Sequence, residues 1–189
     1  MGDYVFGGMV VLTYQEAKEK HGSRYGVDQA LNRGELRHIG RNLYSTDDDD
    51  EQLKAVLKLY PDAIATGQTA LYLHGLIDLP PDLFDLASKR GGTKIASDAV
   101  RQTFIPEEWL GLGATSIAHD GELVKVYDLE RMLLEVMRSR NKLPYDIYRE
   151  AIASYRKLAE NLDIYKLEAY ADAMPRGQSY LNRALEEVF

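Results

Sequence analysis

The chain has 189 residues, of which 45% are hydrophobic, and a formal net charge of −7. Such a length and composition suit one ordinary domain, or a small domain joined to a larger one. The chain has no cysteine, which excludes disulfides and thiolate metal sites. There is no apolar run of about 18 residues and no secretory signal pattern at the start, so we expect a cytoplasmic protein without a membrane span.

The charge is unevenly distributed along the chain. Residues 1–45 contain six Lys and Arg against five Asp and Glu, a net +1, whereas the other residues contain 17 against 25, a net −8. The stretch ALNRGELRHIGRNLYS (30–45) alone has three arginines, one histidine and one acid. An acidic body is repelled by nucleic acid, so any DNA contact is expected from the N-terminal quarter.

The first predicted elements are two short helices and a hairpin. Thr13 followed by Glu16 is a capping-box pattern that begins a helix, and Gly22 is a natural stop. A second helix is predicted over 23–34. Its apolar face has three members: Val27, Ala30 and Leu31. Two strand-like pieces flank Gly40–Asn42, where Gly and Asn tolerate the positive φ of a tight turn. This order is typical of a winged helix-turn-helix.

An acidic run, TDDDDEQ (46–52), follows the hairpin. We interpret it as a solvated hinge whose last aspartate caps the next helix; a metal site is the alternative, although no histidine lies near. The run marks a domain boundary, with a winged helix-turn-helix domain over 1–46 and an α+β domain over 47–189.

The larger domain is predicted to contain a small sheet flanked by helices, then a helical tail. The expected strands lie over 62–66, 83–87, 100–105, 113–119 and 122–128, with a turn at Asp120–Gly121. The expected helices lie over 51–61, 66–76 and 128–140, and two or three more over 144–189. The fold class is therefore α+β.

Four segments in this order resemble the AbiEi antitoxins, the transcriptional-regulator halves of type IV toxin–antitoxin systems for abortive infection. They are LNRGELRHIGRNLYS (31–45), YPDAIATGQTALYLHGLIDLPPD (60–82), VYDLERMLLEVM (126–137) and NKLPYDIYREAIASYRKL (141–158). The resemblance implies a winged helix that represses its own operon. It also implies a C-terminal domain that counters a nucleotidyltransferase toxin encoded next door.

The N-terminal segment departs from the family pattern. Members commonly have a full helix before the part that corresponds to GGMVVLTYQEA (7–17), where only a few residues stand here. A small domain buries little surface, so the winged domain is expected to be reduced. We expect Val10, Val11 and Leu12 to pair with the hairpin as a strand, or to pack under the second helix.

Nine residues are candidates for DNA contact. Gln and Asn can pair with adenine edges, and Arg with guanine or phosphate; side chains of the hairpin suit phosphate or minor-groove contact. The alternative is a solvated face of a small domain that packs on the rest. The candidates are Arg24, Tyr25, Gln29, Asn32 and Arg33 on the second helix, and Arg37, His38, Arg41 and Asn42 on the hairpin.

No catalytic constellation is recognisable. GGTK (91–94) lacks the P-loop arrangement, no G-x-S-x-G elbow occurs, and Gly22–Ser23 matches only the start of a nucleotidyltransferase signature, without two strand-borne carboxylates for magnesium. His74, at a helix end, and His119, in a predicted turn, are interpreted as structural. We therefore predict no enzyme, no cofactor and no metal site.

The predicted function is a DNA-binding transcriptional autorepressor and antitoxin. Its predicted partners are the operator DNA of its own operon and a nucleotidyltransferase toxin, with or without direct contact. The alternative is an antitoxin-like interaction module without DNA binding. Its candidate surfaces are the helix 129–140 and the C-terminal helices, above all the last one, QSYLNRALEEVF (178–189). Their apolar residues could be buried in the core or, in the last helix, remain available to a partner or second copy.

Overall fold

The protein has an α+β fold with two compact units. The structure is a computed structural model, and it describes residues 4–6, 9–40, 43–45, 53, 56–57, 59–119 and 122–189. The first unit combines 1–62 with 93–101, and the second combines 63–92 with 102–189. The predicted α+β class is confirmed. The predicted boundary after residue 46, the acidic run and the turn at 120–121 all lie outside the described residues.

In the part that the structure describes before residue 46, the first unit contains a four-stranded sheet beside two helices. Its strand order is β1-β2-β4-β3 and neighbouring strands pair antiparallel. Its elements are β1 (Tyr4–Phe6), β2 (Met9–Thr13), α1 (Tyr14–His21), α2 (Arg24–Asn32), β3 (Arg37–Gly40) and β4 (Leu43–Ser45). The two predicted helices and the hairpin, β3 with β4, are confirmed; strand β1 was not predicted.

The expected role of the N-terminal apolar segment is also confirmed. Strand β2 pairs with β4, with Leu12 opposite Tyr44. Leu12 is buried in one cluster with Val27 and Ala30 of α2. Burying such a side chain contributes about 1.5–3 kcal/mol, so β2 closes a core that the two short helices could not fill alone. The remaining buried members are Ala17, Leu36 and Tyr44.

The capping box at the start of α1 forms as predicted. The Thr13 backbone N–H and hydroxyl both donate to Glu16 Oε2 at 2.7 Å, and the Glu16 N–H donates to Thr13 Oγ1 at 3.3 Å. These hydrogen bonds lower the pKa of Glu16, the backbone bond contributing most. The helix ends at Gly22, whose φ of 78° is left-handed and therefore favours glycine.

The second unit contains a five-stranded mixed sheet in the order β7-β6-β5-β9-β8. Strand β5 pairs parallel with β9 and antiparallel with β6, and β8 pairs antiparallel with β9. The strands are β5 (Ile64–Ala65), β6 (Phe84–Lys89), β7 (Val100–Ile105), β8 (Ala114–His119) and β9 (Glu122–Tyr127). All five match predicted strands, and Val124 and Val126 alternate with exposed neighbours as expected.

Helices complete the second unit. They are α3 (Gly67–Leu73), α4 (Glu107–Leu110), α5 (Leu129–Ser139), α6 (Tyr145–Leu158), a 3₁₀ turn (Ala159–Asn161), α7 (Ile164–Ala173) and α8 (Gly177–Val188). The tail thus has three helices, within the predicted number. Helix α4 was not predicted because its four residues are too few to show a period. The helix predicted over 51–61 lies instead in the first unit and is described only in part, with Leu53 and Val56 buried.

The start of α3 is capped by a residue from another element. Thr66 occupies the N-cap position, but its side chain makes no capping bond. Instead the Gln68 N–H donates to Asp85 Oδ2 of strand β6 at 2.9 Å. Gly67 permits this approach, since a Cβ there would lie 2.5 Å from the same oxygen. A carboxylate 17 residues away in sequence therefore satisfies the start of the helix.

The predicted amphipathic helix α5 is buried on its polar side as well. Glu130, Arg131 and Glu135 are all buried. Glu135 Oε1 accepts from Arg131 Nη2 at 2.8 Å, and Glu135 Oε2 accepts from Arg138 Nε at 2.7 Å. Pairing of this kind is what permits charged groups to lie in a protein interior.

Both histidines interpreted as structural make contacts inside the second unit. His74 Nε2 donates to the Tyr127 carbonyl at 2.7 Å, which joins α3 to the end of β9. The His119 ring lies edge-on to Tyr72, with centroids 6.4 Å apart. His119 is the last residue of β8, where the strand predicted over 113–119 also ends.

Candidate nucleic-acid interface

The exposed face of helix α2 is polar and carries five candidate residues for DNA contact. Val27 and Ala30 are each 1% exposed and fix the opposite face in the core. Arg24 and Asn32 are exposed, and the Tyr25 side chain is 72% exposed. The remaining two candidates are half-buried Gln29 and exposed Arg33. The core positions of α2 thus direct hydrogen-bonding side chains and one aromatic ring outward.

The joint between α1 and α2 brings the two helices into close approach. Only Gly22 and Ser23 separate them, and Ser23 Oγ accepts from the Gly26 N–H at 3.0 Å to cap α2. A Cβ at Gly26 would lie 2.0 Å from the carbonyl oxygen of His21. Glycine at this position is therefore required by the approach of α2 to the last residue of α1.

One acid interrupts the polar face. Asp28 is exposed and lies one helical turn from both Arg24 and Asn32. Its charge helps to raise the pKa of Tyr44, after burial and the neighbouring Tyr14, while Arg24 acts in the opposite direction. Arg33 lies 3.8 Å from Glu35, and both side chains are mostly exposed. Exposed pairs of this length contribute little, so Glu35 holds the Arg33 guanidinium only weakly.

The hairpin supplies four further candidates, of which the structure describes two. Arg37, on β3, is exposed. Arg41 and Asn42 lie outside the described residues. Residues 46–62 of the same unit add six Asp and Glu against two Lys. Helix α2 has one Arg and one Asp, so the positive charge is confined to residues 33–41, where three Arg stand against one Glu.

The His38 side chain lies against other residues of the first unit. Its side chain is 29% exposed, and Nδ1 lies 3.4 Å from Asp98 Oδ2, without the alignment of a hydrogen bond. Its ring meets Tyr44 edge-on, with centroids 5.2 Å apart. Its carbonyl accepts from Ser97 Oγ at 3.4 Å. His38 therefore supports strand β3 in this arrangement instead of facing outward.

Sequence reasoning missed the segment that contacts His38. Residues 93–101 group with the first unit although they follow β6 in the chain and include the first two residues of β7. No local pattern could reveal this, since Ser97 follows His38 by 59 residues.

A second polar cluster, in the second unit, joins α5 to α7. Lys166 Nζ lies 2.9 Å from Asp128 Oδ2 and 3.3 Å from Glu130 Oε2. The Tyr170 hydroxyl donates to Asp128 Oδ2 at 2.9 Å. Burial and this bond raise the pKa of Tyr170 to about 12. Each carboxylate in the cluster has protein partners, an arrangement suited to helix packing. No group of three metal-ligating side chains occurs among the described residues.

No helix in the part of the chain that the structure describes is long and apolar enough to cross a membrane.

No protein-family model matches the chain, and no curated protein matches it. Among solved structures, the chain is similar to the crystal structure of the RV2827C protein from Mycobacterium tuberculosis. That likeness has a TM-score of 0.60 at 14% identity and covers 94% of this chain and 72% of that chain. The similarity extends over nearly the whole α+β chain and shows a shared fold.

Proposed function

We propose that residues 1–46 form a reduced winged helix-turn-helix that binds duplex DNA, within a transcriptional autorepressor and antitoxin. The observation that carries the proposal is the outward face of α2, where Arg24, Tyr25 and Asn32 are exposed on a helix whose other face is fixed in the core. Arginine and asparagine in this position suit guanine and adenine edges in the major groove.

The element order supports the winged assignment. Helices α1 and α2 are joined by a short turn that contains glycine, as in helix-turn-helix motifs, and the hairpin follows directly. Strand β2 pairs with β4 on the side opposite β3, where it supports the hairpin. In this arrangement α2 is the recognition helix, and the hairpin is the wing that contacts phosphates beside it.

The test of DNA binding uses the full chain and DNA from upstream of its own gene. The double variant Arg24→Gln/Arg37→Gln is expected to weaken binding to every duplex and to flatten the salt dependence, by about 0.9 in slope per lost phosphate contact. Arg149→Gln/Arg183→Gln, on exposed residues of the second unit, is the matched control and should bind normally. Unchanged binding by the first variant in a gel-shift titration would exclude this surface.

Sequence preference provides a second criterion. Asn32→Ala should alter which bases are preferred, by about 1–3 kcal/mol for a lost bidentate pair, while leaving the salt slope nearly unchanged. The base preferences of wild type and Asn32→Ala are compared by selection of bound sequences from a random duplex pool, in parallel for the two proteins. Identical selected motifs would argue that α2 contacts only the backbone.

The antitoxin role is supported by the resemblance to AbiEi proteins and is proposed for the second unit, without enzymatic activity and in the cytoplasm. The test is co-expression of the full chain with a nucleotidyltransferase encoded beside it. The DNA-binding double variant should still rescue growth while it no longer represses its promoter. If the variant alone fails to rescue growth, the first unit is required for neutralisation of the toxin. If wild type fails too, the antitoxin role is rejected.

The alternative is an antitoxin-like interaction module that does not bind DNA. The exposed apolar side chains Leu185 and Phe189 at the end of α8 favour it, although Leu181 and Val188 of the same helix are buried. If the alternative holds, Leu185→Ser/Phe189→Ser abolishes rescue while repression is absent in every variant.

A further inference from the structure

The connection between β6 and β7 carries a second group of cations. The sequence KRGGTK (89–94) contains Lys89, Arg90 and Lys94 and no acid, within a body that is otherwise strongly acidic. Lys89 pairs with Glu107 at 2.6 Å in the second unit. Lys94 belongs to the part of the connection that folds with the first unit, and its side chain is exposed.

Four consecutive residues attach this connection to the first unit. Ile95 is buried, at 5% exposure. The Ala96 N–H donates to the Tyr60 hydroxyl at 3.3 Å. Ser97 Oγ donates to the His38 carbonyl, and Asp98 Oδ2 lies 3.4 Å from His38 Nδ1. The path of the chain from Ile95 onward is therefore fixed against strand β3 of the wing.

Lys94 directly precedes the attached residues. Three residues span at most about 11 Å, so the Lys94 backbone lies within about 15 Å of His38, to which Ser97 is bonded. The long side chain extends the ammonium group further. Phosphates of one strand recur every 3.4 Å along the helix axis of a duplex, so a duplex that meets the wing presents several within this reach.

We infer that Lys94 extends the DNA-contacting surface beyond the wing and binds a backbone phosphate there. The inference rests on the proposed function and deepens it, because the surface then comprises α2, the hairpin and the connection 93–101. Lysine attracts phosphate as a point charge, so the contact adds affinity without base preference. Asp98, whose side chain is 93% exposed, limits the extent of the added positive surface.

The test compares full-length Lys94→Gln with wild type, using a labelled duplex from upstream of the gene and one of unrelated sequence. Fluorescence anisotropy at several salt concentrations should give roughly three- to tenfold weaker binding to both duplexes, and a salt slope smaller by about 0.9. Lys94→Arg keeps the charge and should keep the affinity. Lys142→Gln, an exposed lysine of the second unit, should bind as wild type does.

The outcomes separate this inference from the proposed function. If wild type binds and Lys94→Gln matches it in affinity and slope, Lys94 is not a contact and the inference is wrong. An equal loss in Lys142→Gln would overturn it too, since the effect would then come from net charge. If wild type binds neither duplex, the proposed function itself fails.

Discussion

Replacement of Glu135 by glutamine is predicted to destabilise the protein more than replacement of Arg131 by methionine. The two side chains form one buried pair, with the Arg131 side chain 2% exposed and that of Glu135 7% exposed. Their other partners differ. Glu135 is also bonded to Arg138, whereas Nη1 of Arg131 is buried without a hydrogen-bond partner among the described residues.

The magnitudes follow from what each change leaves behind. Arginine cannot lose its proton in a protein, so Glu135→Gln leaves a buried cation with only the Tyr127 ring, 5.0 Å away, and one amide oxygen. Breaking a buried pair in this way costs about 3–5 kcal/mol. Because the glutamine oxygen can still accept a hydrogen bond from Arg131, we expect a cost of about 3 kcal/mol. Arg131→Met leaves Glu135 paired with Arg138 in an apolar setting, at a cost of about 1 kcal/mol.

The assay is chemical denaturation followed by circular dichroism, with thermal melts alongside. A difference of about 2 kcal/mol corresponds to melting temperatures about 4–8 °C apart for a chain of this size. Arg138→Met is the control. Its side chain is 41% exposed, so its loss should cost no more than about 1 kcal/mol. If Arg131→Met proves as unstable as Glu135→Gln or more so, the argument from the orphaned cation is refuted.

Three further predictions concern the first unit. Gly26→Ala should destabilise it by about 1–3 kcal/mol, because the new Cβ would overlap the last carbonyl of α1; Gly111→Ala, with nothing within 4 Å, should be neutral in the same melts. The Thr13 hydrogen bonds lower the pKa of Glu16, so their stabilisation is present above the usual value of 4.5 and lost as the pH falls through the lowered one. In an acid titration followed by circular dichroism, wild type should lose this part of its stability, whereas Glu16→Gln, which lacks the carboxylate, should not. Equal loss of stability in the two proteins would contradict the prediction. The fragment 1–46 should be largely unfolded, since it lacks the segment attached to β3, and a cooperative melt would show otherwise.

Elements whose determinants lie close together in sequence were predictable. The capping box needs only Thr13 and Glu16, and the apolar spacing of α2 identified the face that enters the core. The pairing of β2 with the hairpin could be predicted because so small a domain had few other ways to bury Leu12. The exposed side chains of α2 could be predicted because its apolar positions had already identified the face that enters the core.

Features that depend on distant residues were not predictable. The capping of α3 by Asp85 and the contact of Ser97 with His38 each need a partner placed by tertiary structure. The burial of Arg131 depends on the helices that pack against α5. Helical periodicity marks charged positions as solvent-facing and cannot tell when a second layer of helices covers them. His38 was named as a contact for DNA on composition, whereas its surroundings depend on a segment about 60 residues away.

The first unit is made from two separate stretches of chain, 1–62 and 93–101. A single crossover after residue 101 would therefore carry residues 63–92 of the second unit along with the first unit. Transfer of the first unit alone needs three crossovers, after residues 62, 92 and 101. Ser97 is hydrogen-bonded to His38 of strand β3, and Asp98 lies against the same residue. A substitution at Ser97 or Asp98 should therefore be accompanied by a substitution near His38. In a set of diverged relatives, the connection between β6 and β7 should covary with the N-terminal stretch rather than with the strands that it joins.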